Sequence, residues 1–353
     1  MCMFNATIIG WDIGGAHLKA AMLDTTGNVL NVLQLPCQLW RGLPELSVAM
    51  QNMLNSFDIE PQHAQHAITM TGELVDLFDN RHDGVCQIAK LAGQILGKNI
   101  QFYIGQDNGS HAFVSLIDVP CFASAIASAN WHASATFLAQ HAPNALLIDI
   151  GSTTSDIIPI INGIAALNGN SDSARLKNDT LVYTGVTRTP VMALAQKLPF
   201  ENSEINVMAE LFATMADVYR LTGELLPAYD ISDTADGKGK TQLESARRLA
   251  RMIGFDVHDD LDKWILLAFS CKSLQTTQLK IAIAQHLKPN MTIIGAGAGS
   301  FLVKQIAEDL NHPFAHAYDL ISMRVAEHAS KHNVDLCFPA FAVASLALKQ
   351  SIC

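Results

Sequence analysis

The apolar positions at the start of the chain come in short runs with abrupt polar stops. Residues 7–12 are nearly all apolar and stop at Asp12-Ile13-Gly14-Gly15; residues 17–23 resume an extended pattern. Residues 24–28 (Asp-Thr-Thr-Gly-Asn) carry a turn signal and residues 29–35 a third apolar run, which predicts three strands joined by turns. The period then changes: Leu43, Leu46, Met50, Met53, Leu54 and Phe57 share one face of a predicted helix over residues 43–57. Residues 67–70 and 100–104 predict short strands, and the alanine-rich residues 123–141 a helix.

The opening pattern then recurs. Residues 145–149 are apolar and lead into Asp149-Ile150-Gly151-Ser152-Thr153-Thr154. Residues 155–161 read as a strand, Asn162-Gly163 as a hairpin dipeptide and residues 164–167 as the returning strand. The two copies lie about 137 positions apart. Such a repeat implies two related lobes, residues 1–142 and 143–353, with a cleft between them. The second lobe carries a helical insertion over about 200–285, since residues 205–222, 241–253 and 258–284 all show helical periodicity. Residues 227–240, rich in Asp, Gly and Lys, read as a surface loop. A strand over residues 291–294 leads into Gly295-Ala296-Gly297-Ala298-Gly299 and a helix over residues 300–310.

Composition narrows the function classes. Hydrophobic residues at 49% and charged residues at 16% support a large core and argue against disorder. The net charge of −10 excludes a general nucleic-acid binder, which needs clustered Lys and Arg. The longest apolar stretches, residues 291–303 and 338–348, fall short of the roughly 18 needed to span a bilayer. No basic or cleavage-type pattern precedes the first strand, so a cytoplasmic enzyme without a membrane partner is expected. Seven cysteines (Cys2, Cys37, Cys86, Cys121, Cys271, Cys337 and Cys353), odd in number and without a CxxC pair, suit reduced thiols.

Three motifs carry candidate chemistry. In the first, Gly14 and Gly15 let backbone N–H groups approach an anion, Asp12 stands where it can hold Mg²⁺ through water, and Lys19 can reach the same anion. In the second, Asp149 supplies another carboxylate, and Gly151 is followed by the hydroxyls of Ser152, Thr153 and Thr154, then by Asp156. In the third, Gly295, Gly297 and Gly299 lie between a strand and a helix, where a flat ring or an anion can sit. The third run is not a dinucleotide fingerprint, because no βαβ unit with a distant acidic residue follows it, and the chain contains no GxxxxGK[ST] loop.

In this order the motifs resemble the actin–sugar kinase–Hsp70 superfamily, with two phosphate loops and a late glycine-rich adenosine motif. The resemblance implies an α/β, actin-like (ribonuclease H-like) duplicated fold whose Asp12 and Asp149 turns face each other across the cleft. The runs Gly10-Trp-Asp-Ile-Gly-Gly-Ala-His-Leu-Lys-Ala20, Thr69-Met-Thr-Gly-Glu-Leu-Val75, Tyr183-Thr-Gly-Val-Thr-Arg-Thr-Pro190 and Phe212-Ala-Thr-Met-Ala-Asp-Val-Tyr-Arg-Leu-Thr-Gly223 look like one subfamily. It is the hydantoinase A/oxoprolinase-related group tied to tetrahydromethanopterin-linked one-carbon transfer. Its archaeal members are methanofuran-precursor synthases, which join an aminomethylfuran-methyl diphosphate to the phenol oxygen of a tyramine derivative and release diphosphate. The resemblance implies that activity here, with small-molecule diphosphate and phenolic substrates, Mg²⁺ at Asp12 and Asp149, and ATP as a candidate ligand that the reading does not require. A homodimer is a candidate assembly. The rival readings are an ATP-dependent kinase or amide hydrolase of the hydantoinase/oxoprolinase kind, and a non-catalytic nucleotide-binding protein.

A phenol with a free pKa near ~10 needs a base at neutral pH, and Asp156, Glu73 and His17 are the candidates. Arg188 can grip a carboxylate or phosphate bidentately, or serve a structural ion pair. Glu210, Thr214 and Asp217 recur at helical spacing, with Arg220 a turn beyond, so Asp217 is a substrate-binding candidate weighed against an Asp–Arg pair. The pairs His312/His316 and His328/His332 lack an intervening Glu and a third ligand, which argues against zinc.

Overall fold

The computed structural model describes residues 7–105, 112–258, 260–321, 324–327 and 329–352. Residues 1–6, with Cys2, and also His328 and Cys353, lie outside that set. The chain packs as two compact units: residues 1–145, 160–166 and 316–353 form the first, and residues 146–159 and 167–315 the second. The expected boundary at 142/143 follows chain order, whereas packing returns residues 316–353 to the first unit.

In the first unit, β1 (Thr7–Ile13), β2 (His17–Leu23) and β3 (Val29–Pro36) form an antiparallel meander. β4 (Ala64–Met70) runs parallel to β1, β5 (Ile100–Tyr103) parallel to β4, and β6 (Phe113–Ser115) antiparallel to β5. The order β3-β2-β1-β4-β5-β6 contains the ribonuclease H-like arrangement.

β1 is buried on both faces, which is why its sequence is a continuous apolar run. Ile9, Trp11 and Ile13 pack against residues of the helices Leu43–Ser56 and Arg81–Leu96, among them Met50, Met53 and Ile88. The C-terminal helix Phe338–Ile352 packs on β1, β2 and β4. Phe338, Phe341, Ala342, Val343, Ala344 and Ala347 are all buried, so the apolar run read as too short for a membrane is a core helix. Burial of each large apolar side chain there contributes about 1.5–3 kcal/mol. The helix comes so close to β1 that a Cβ on Gly10 would lie 2.0 Å from the Ala340 carbonyl oxygen.

In the second unit, β7 (Ala145–Ile150) and β8 (Ser155–Ile161) repeat the opening pair; the end of β8 and its antiparallel partner β9 (Ile164–Ala165) fall among residues 160–166, which group with the first unit. β10 (Leu181–Val182) is antiparallel to β8. β11 (Lys197–Phe200) and β12 (Ser203–Asn206) form a separate hairpin, and β13 (Thr292–Ala296) and β14 (Phe314–His316) complete the main sheet. Its order, β10-β8-β7-β13-β14, repeats that of β3-β2-β1-β4-β5, so the fold is the duplicated actin-like one.

Three expected elements differ. The helix over residues 123–141 is two helices, Val119–Ile126 and Asn130–Ala139, because Ser128 adopts a left-handed backbone (φ 52°) between them. The helix over residues 205–222 shrinks to Met215–Leu221. Glu201 and Asn202, both at positive φ, turn the preceding chain into the β11–β12 hairpin, and Glu210 therefore does not share a helix with Asp217. The loop over residues 227–240 includes a 3₁₀ turn, Pro227–Tyr229, with Tyr229 buried.

Two outcomes are expected. Gly10→Ala should cost about 1–3 kcal/mol of stability by overpacking, read by chemical denaturation. His66 is held neutral: it accepts from Trp11 Nε1 (3.2 Å) at Nδ1 and donates from Nε2 to the Pro61 carbonyl (2.9 Å), and burial lowers its pKa to about 4. The unfolded imidazole binds a proton below about pH 6.5, so this group's stability is full above that value and falls as pH drops toward 4. Between pH 7 and pH 5 the loss should be about 2 kcal/mol, and His66→Gln should flatten it.

Candidate functional site

The two Asp-Ile-Gly turns are built alike. Gly14 N–H donates to the His17 carbonyl (3.0 Å), and Gly151 N–H donates to the Thr154 carbonyl (2.9 Å). A Cβ on Gly14 would sit 2.9 Å from that same His17 oxygen, so the turn closes only around glycine.

In the first unit Asp12 is buried at the end of β1. Lys19, its cross-strand partner on β2, brings Nζ within 3.7 Å of Oδ2. The segment after β4 presses on the same turn. Thr71 N–H donates to the Ile13 carbonyl (2.9 Å), a Cβ on Gly72 would lie 3.2 Å from Gly14 backbone, and a Cβ on Gly15 would lie 2.7 Å from Val75 Cγ1. Glu73, 1% exposed, accepts from Ser128 Oγ at 2.9 Å, which accounts for the break between the two helices around Ser128. His17 is buried beside the turn at the start of β2.

In the second unit Asp149, Gly151, Ser152, Thr153 and Thr154 are half-buried. Residues 183–190 pack directly on them. Val186 N–H donates to the Gly151 carbonyl (3.0 Å), Arg188 N–H to the Ser152 carbonyl (2.8 Å), and Arg188 Nη1 to Thr153 Oγ1 (3.3 Å). Gly185 lies so close that a Cβ would fall 2.5 Å from the Ser152–Thr153 peptide. The third glycine run meets the same turn: Gly299 N–H donates to the Ile150 carbonyl (2.8 Å), and Gly297, at φ +80°, lies where a Cβ would be 2.3 Å from Asp149 Oδ1. A Cβ on Gly295 would meet the Phe314 ring at 2.8 Å, and one on Gly299 the Ile150 side chain at 2.5 Å. All three glycines thus have intramolecular reasons for lacking a side chain.

The structure therefore gathers Asp149, Gly151, Ser152, Thr153, Thr154, Arg188, Gly297 and Gly299 around one turn, and Asp12, Gly14, Gly15 and Lys19 around the other. Two further candidates stand apart. Asp156 forms a buried ion pair with Arg175 (2.5 Å), whose Nη2 also donates to the Thr180 carbonyl. Asp217 is fully buried: Oδ2 accepts from Thr214 N–H (3.1 Å) at the helix start, and Oδ1 accepts from Arg220 Nη1 and Arg248 Nε, both at 2.8 Å. Sequence reasoning missed Gly185, Thr189 and Gln275. For the first two, the Thr-Gly-Val-Thr-Arg-Thr-Pro run was the available signal. Gln275 sits inside an ordinary helical pattern and left none.

Among the described residues no group of three or more His, Cys, Asp and Glu side chains could hold a metal ion. Mg²⁺ keeps most of its water and needs only one or two carboxylates. Asp149, half-buried at its turn, offers one carboxylate of that kind, while Asp12 has the Lys19 ammonium beside it. Burial pushes the thiols of Cys37, Cys271 and Cys337 up to about 12, so they stay protonated. No helix among the described residues is long and apolar enough to cross a membrane.

Comparison with known proteins adds three findings. A family model described as hydantoinase/oxoprolinase matches residues 65–326. The chain is 31% identical, over 97% of its length and 98% of the other, to a (4-{4-[2-(gamma-L-glutamylamino)ethyl]phenoxymethyl}furan-2-yl)methanamine synthase of Methanocaldococcus jannaschii. It is also 31% identical to the protein of that name from Methanococcus vannielii, over 62% of this chain and 97% of the other. Among solved structures, a nucleotide-free acetone carboxylase aligns with TM-score 0.56 at 10% identity, covering 96% of this chain and 70% of that one, a likeness of fold.

Gly297→Ala should disturb this turn twice, through the positive φ and through the clash with Asp149. A loss of about 3 kcal/mol or more in thermal or chemical unfolding is expected, against about 1–2 kcal/mol for Gly237→Ala, where the backbone is also left-handed but nothing lies within 4 Å, so that only the strain in φ is felt.

Proposed function

The chain belongs to the hydantoinase/oxoprolinase family, and on that premise we propose that it is a synthase in methanofuran-type cofactor biosynthesis, joining a furanylmethyl carbon to a phenol oxygen. The observation that carries the reading is the 31% identity to the Methanocaldococcus jannaschii synthase across nearly the whole of both chains. The product in that relative's name holds an aryl ring and a furan together through a phenoxymethyl link. An equivalent product here would serve tetrahydromethanopterin-linked one-carbon transfer.

Forming such an ether requires a leaving group on the furanylmethyl carbon, and the turn after β7 suits a diphosphate. The phenol oxygen attacks the methylene carbon, the bond from that carbon to the diphosphate oxygen breaks, and diphosphate leaves with the electron pair while the phenol proton passes to a base. The hydroxyls of Ser152, Thr153 and Thr154 would donate to phosphate oxygens. Arg188, already anchored to Thr153 Oγ1, would add a charge-assisted grip. Asp149 would hold Mg²⁺ through water, and the ion would supply charge neutralisation as the leaving group departs. In the first unit the Asp12 turn carries its own cation in Lys19, a point charge suited to the same kind of ligand.

The test is to mix the purified chain with aminomethylfuran-methyl diphosphate, a tyramine derivative and Mg²⁺, and to follow ether and inorganic diphosphate. One diphosphate per ether, without ATP, is expected. Asp149→Asn should lower turnover on the order of 100-fold with an unchanged melting temperature. Ether formation only when ATP is supplied, or full activity in folded Asp149→Asn, contradicts the reading.

A further inference from the structure

Behind the second turn lies a buried amide that the proposed chemistry does not use. Gln275, on the helix Asp262–His286, is 0% exposed and fully hydrogen bonded. Its Nε2 donates to Thr184 Oγ1 (2.7 Å) and to the Gly185 carbonyl (2.9 Å), and its Oε1 accepts from Tyr219 Oη (2.6 Å). The orientation of the amide is fixed, because the Gly185 carbonyl can only accept. Tyr219 remains a donor, since burial, and secondarily Glu224, raise its pKa well above the ordinary phenol value.

These bonds reach the anion turn in one step. Gly185 is held from three sides: Gln275 binds its carbonyl, Thr189 Oγ1 accepts its N–H (2.7 Å), and Ser155 Oγ binds the Thr184 carbonyl before it (2.6 Å). Held there, its bare Cα packs on the Ser152–Thr153 peptide, and the next three residues give their N–H groups to the Gly151 and Ser152 carbonyls. On the other side, the Tyr219 ring packs edge-on against Phe301 (centroids 5.2 Å apart), in the first turn of the helix that follows the third glycine run. One buried pair thus touches both segments that shape the turn.

We infer that Gln275, braced by Tyr219, is a positioning residue that fixes the height of Gly185 under the Ser152–Thr153 peptide and so sets the anion affinity of the turn. It touches no ligand itself. An amide suits the task because it must donate to one side and accept from the other. Leucine fills the same space but leaves the Gly185 carbonyl and the Tyr219 hydroxyl buried without it, and glutamate keeps the acceptor but loses the donor.

The inference rests on reading this turn as a diphosphate cradle, and two measurements separate the two. The first needs no ligand: hydrogen exchange at the Val186, Thr187 and Arg188 amides of the full chain. Gln275→Leu and Gln275→Glu should speed exchange there roughly tenfold or more, while the β13 amides stay protected; unchanged protection in both variants overturns the inference. Should Gln275→Leu fail to fold, Gln275→Glu and Tyr219→Phe carry the same comparison. The second is calorimetric titration with inorganic diphosphate and Mg²⁺. Wild type should bind, and Gln275→Glu should bind roughly tenfold or more weakly, the equivalent of about 1.4 kcal/mol. Equal affinities overturn the positioning role, whereas no binding by wild type, with the exchange result intact, removes the diphosphate reading alone.

Discussion

Backbone laid against backbone is the constraint on which the second unit depends. At the turn after β7, Gly185 and Gly297 both stand where a Cβ would lie within 2.5 Å of the Asp149–Thr153 segment. The turn is therefore held by neighbouring main chain, with its hydroxyls and carboxylate left as the variable chemistry. A turn fixed in this way loses little ordering entropy when an anion arrives, which is the physical meaning of preorganisation. The buried amide of Gln275 belongs to the same logic, since it holds the irregular segment around Gly185 that does the pressing.

The duplicated frame carries opposite charges at corresponding places. Lys19 and Asp156 stand at the same offset from Asp12 and Asp149. In the first unit the offset position supplies a cation to the turn's own aspartate, at 3.7 Å. In the second it supplies an anion, and the buried Arg175 neutralises it. Asp149 stands at a half-exposed turn, with Arg188 reaching the neighbouring hydroxyl of Thr153. The repeated turn is thus electrostatically different in the two units.

How far this could be read from the chain depends on the range of the interaction. The strands, both turns and the glycine run announce themselves through local pattern, and the equal hydrogen bonds of Gly14 and Gly151 bear that out. The Thr214/Asp217 spacing was visible too, but as a helix face; it is a helix start, because the positive φ of Glu201 and Asn202 diverts the preceding chain into a hairpin. The break at Ser128 was hidden, since alanines on both sides favour helix and the partner that rewards the break, Glu73, lies 55 residues away. Gln275 and Thr184 are 91 residues apart, and no periodicity encodes such a pair. The return of the C-terminal helix to the first unit was likewise illegible: apolar residues all round it say that it is buried, not where.

The claim at the centre of this account is that the turn after β7 is a cradle for a diphosphate leaving group. Ligand-dependent melting with Mg²⁺ and inorganic diphosphate, set beside Mg²⁺ and ATP, addresses it most directly. A ligand at about 100 times its Kd adds roughly 2.7 kcal/mol, enough for a clear shift in Tm. The account predicts stabilisation by diphosphate without ATP, lost in Asp149→Asn. Stabilisation by ATP alone would contradict it and return the chain to the ATP-dependent members of this fold.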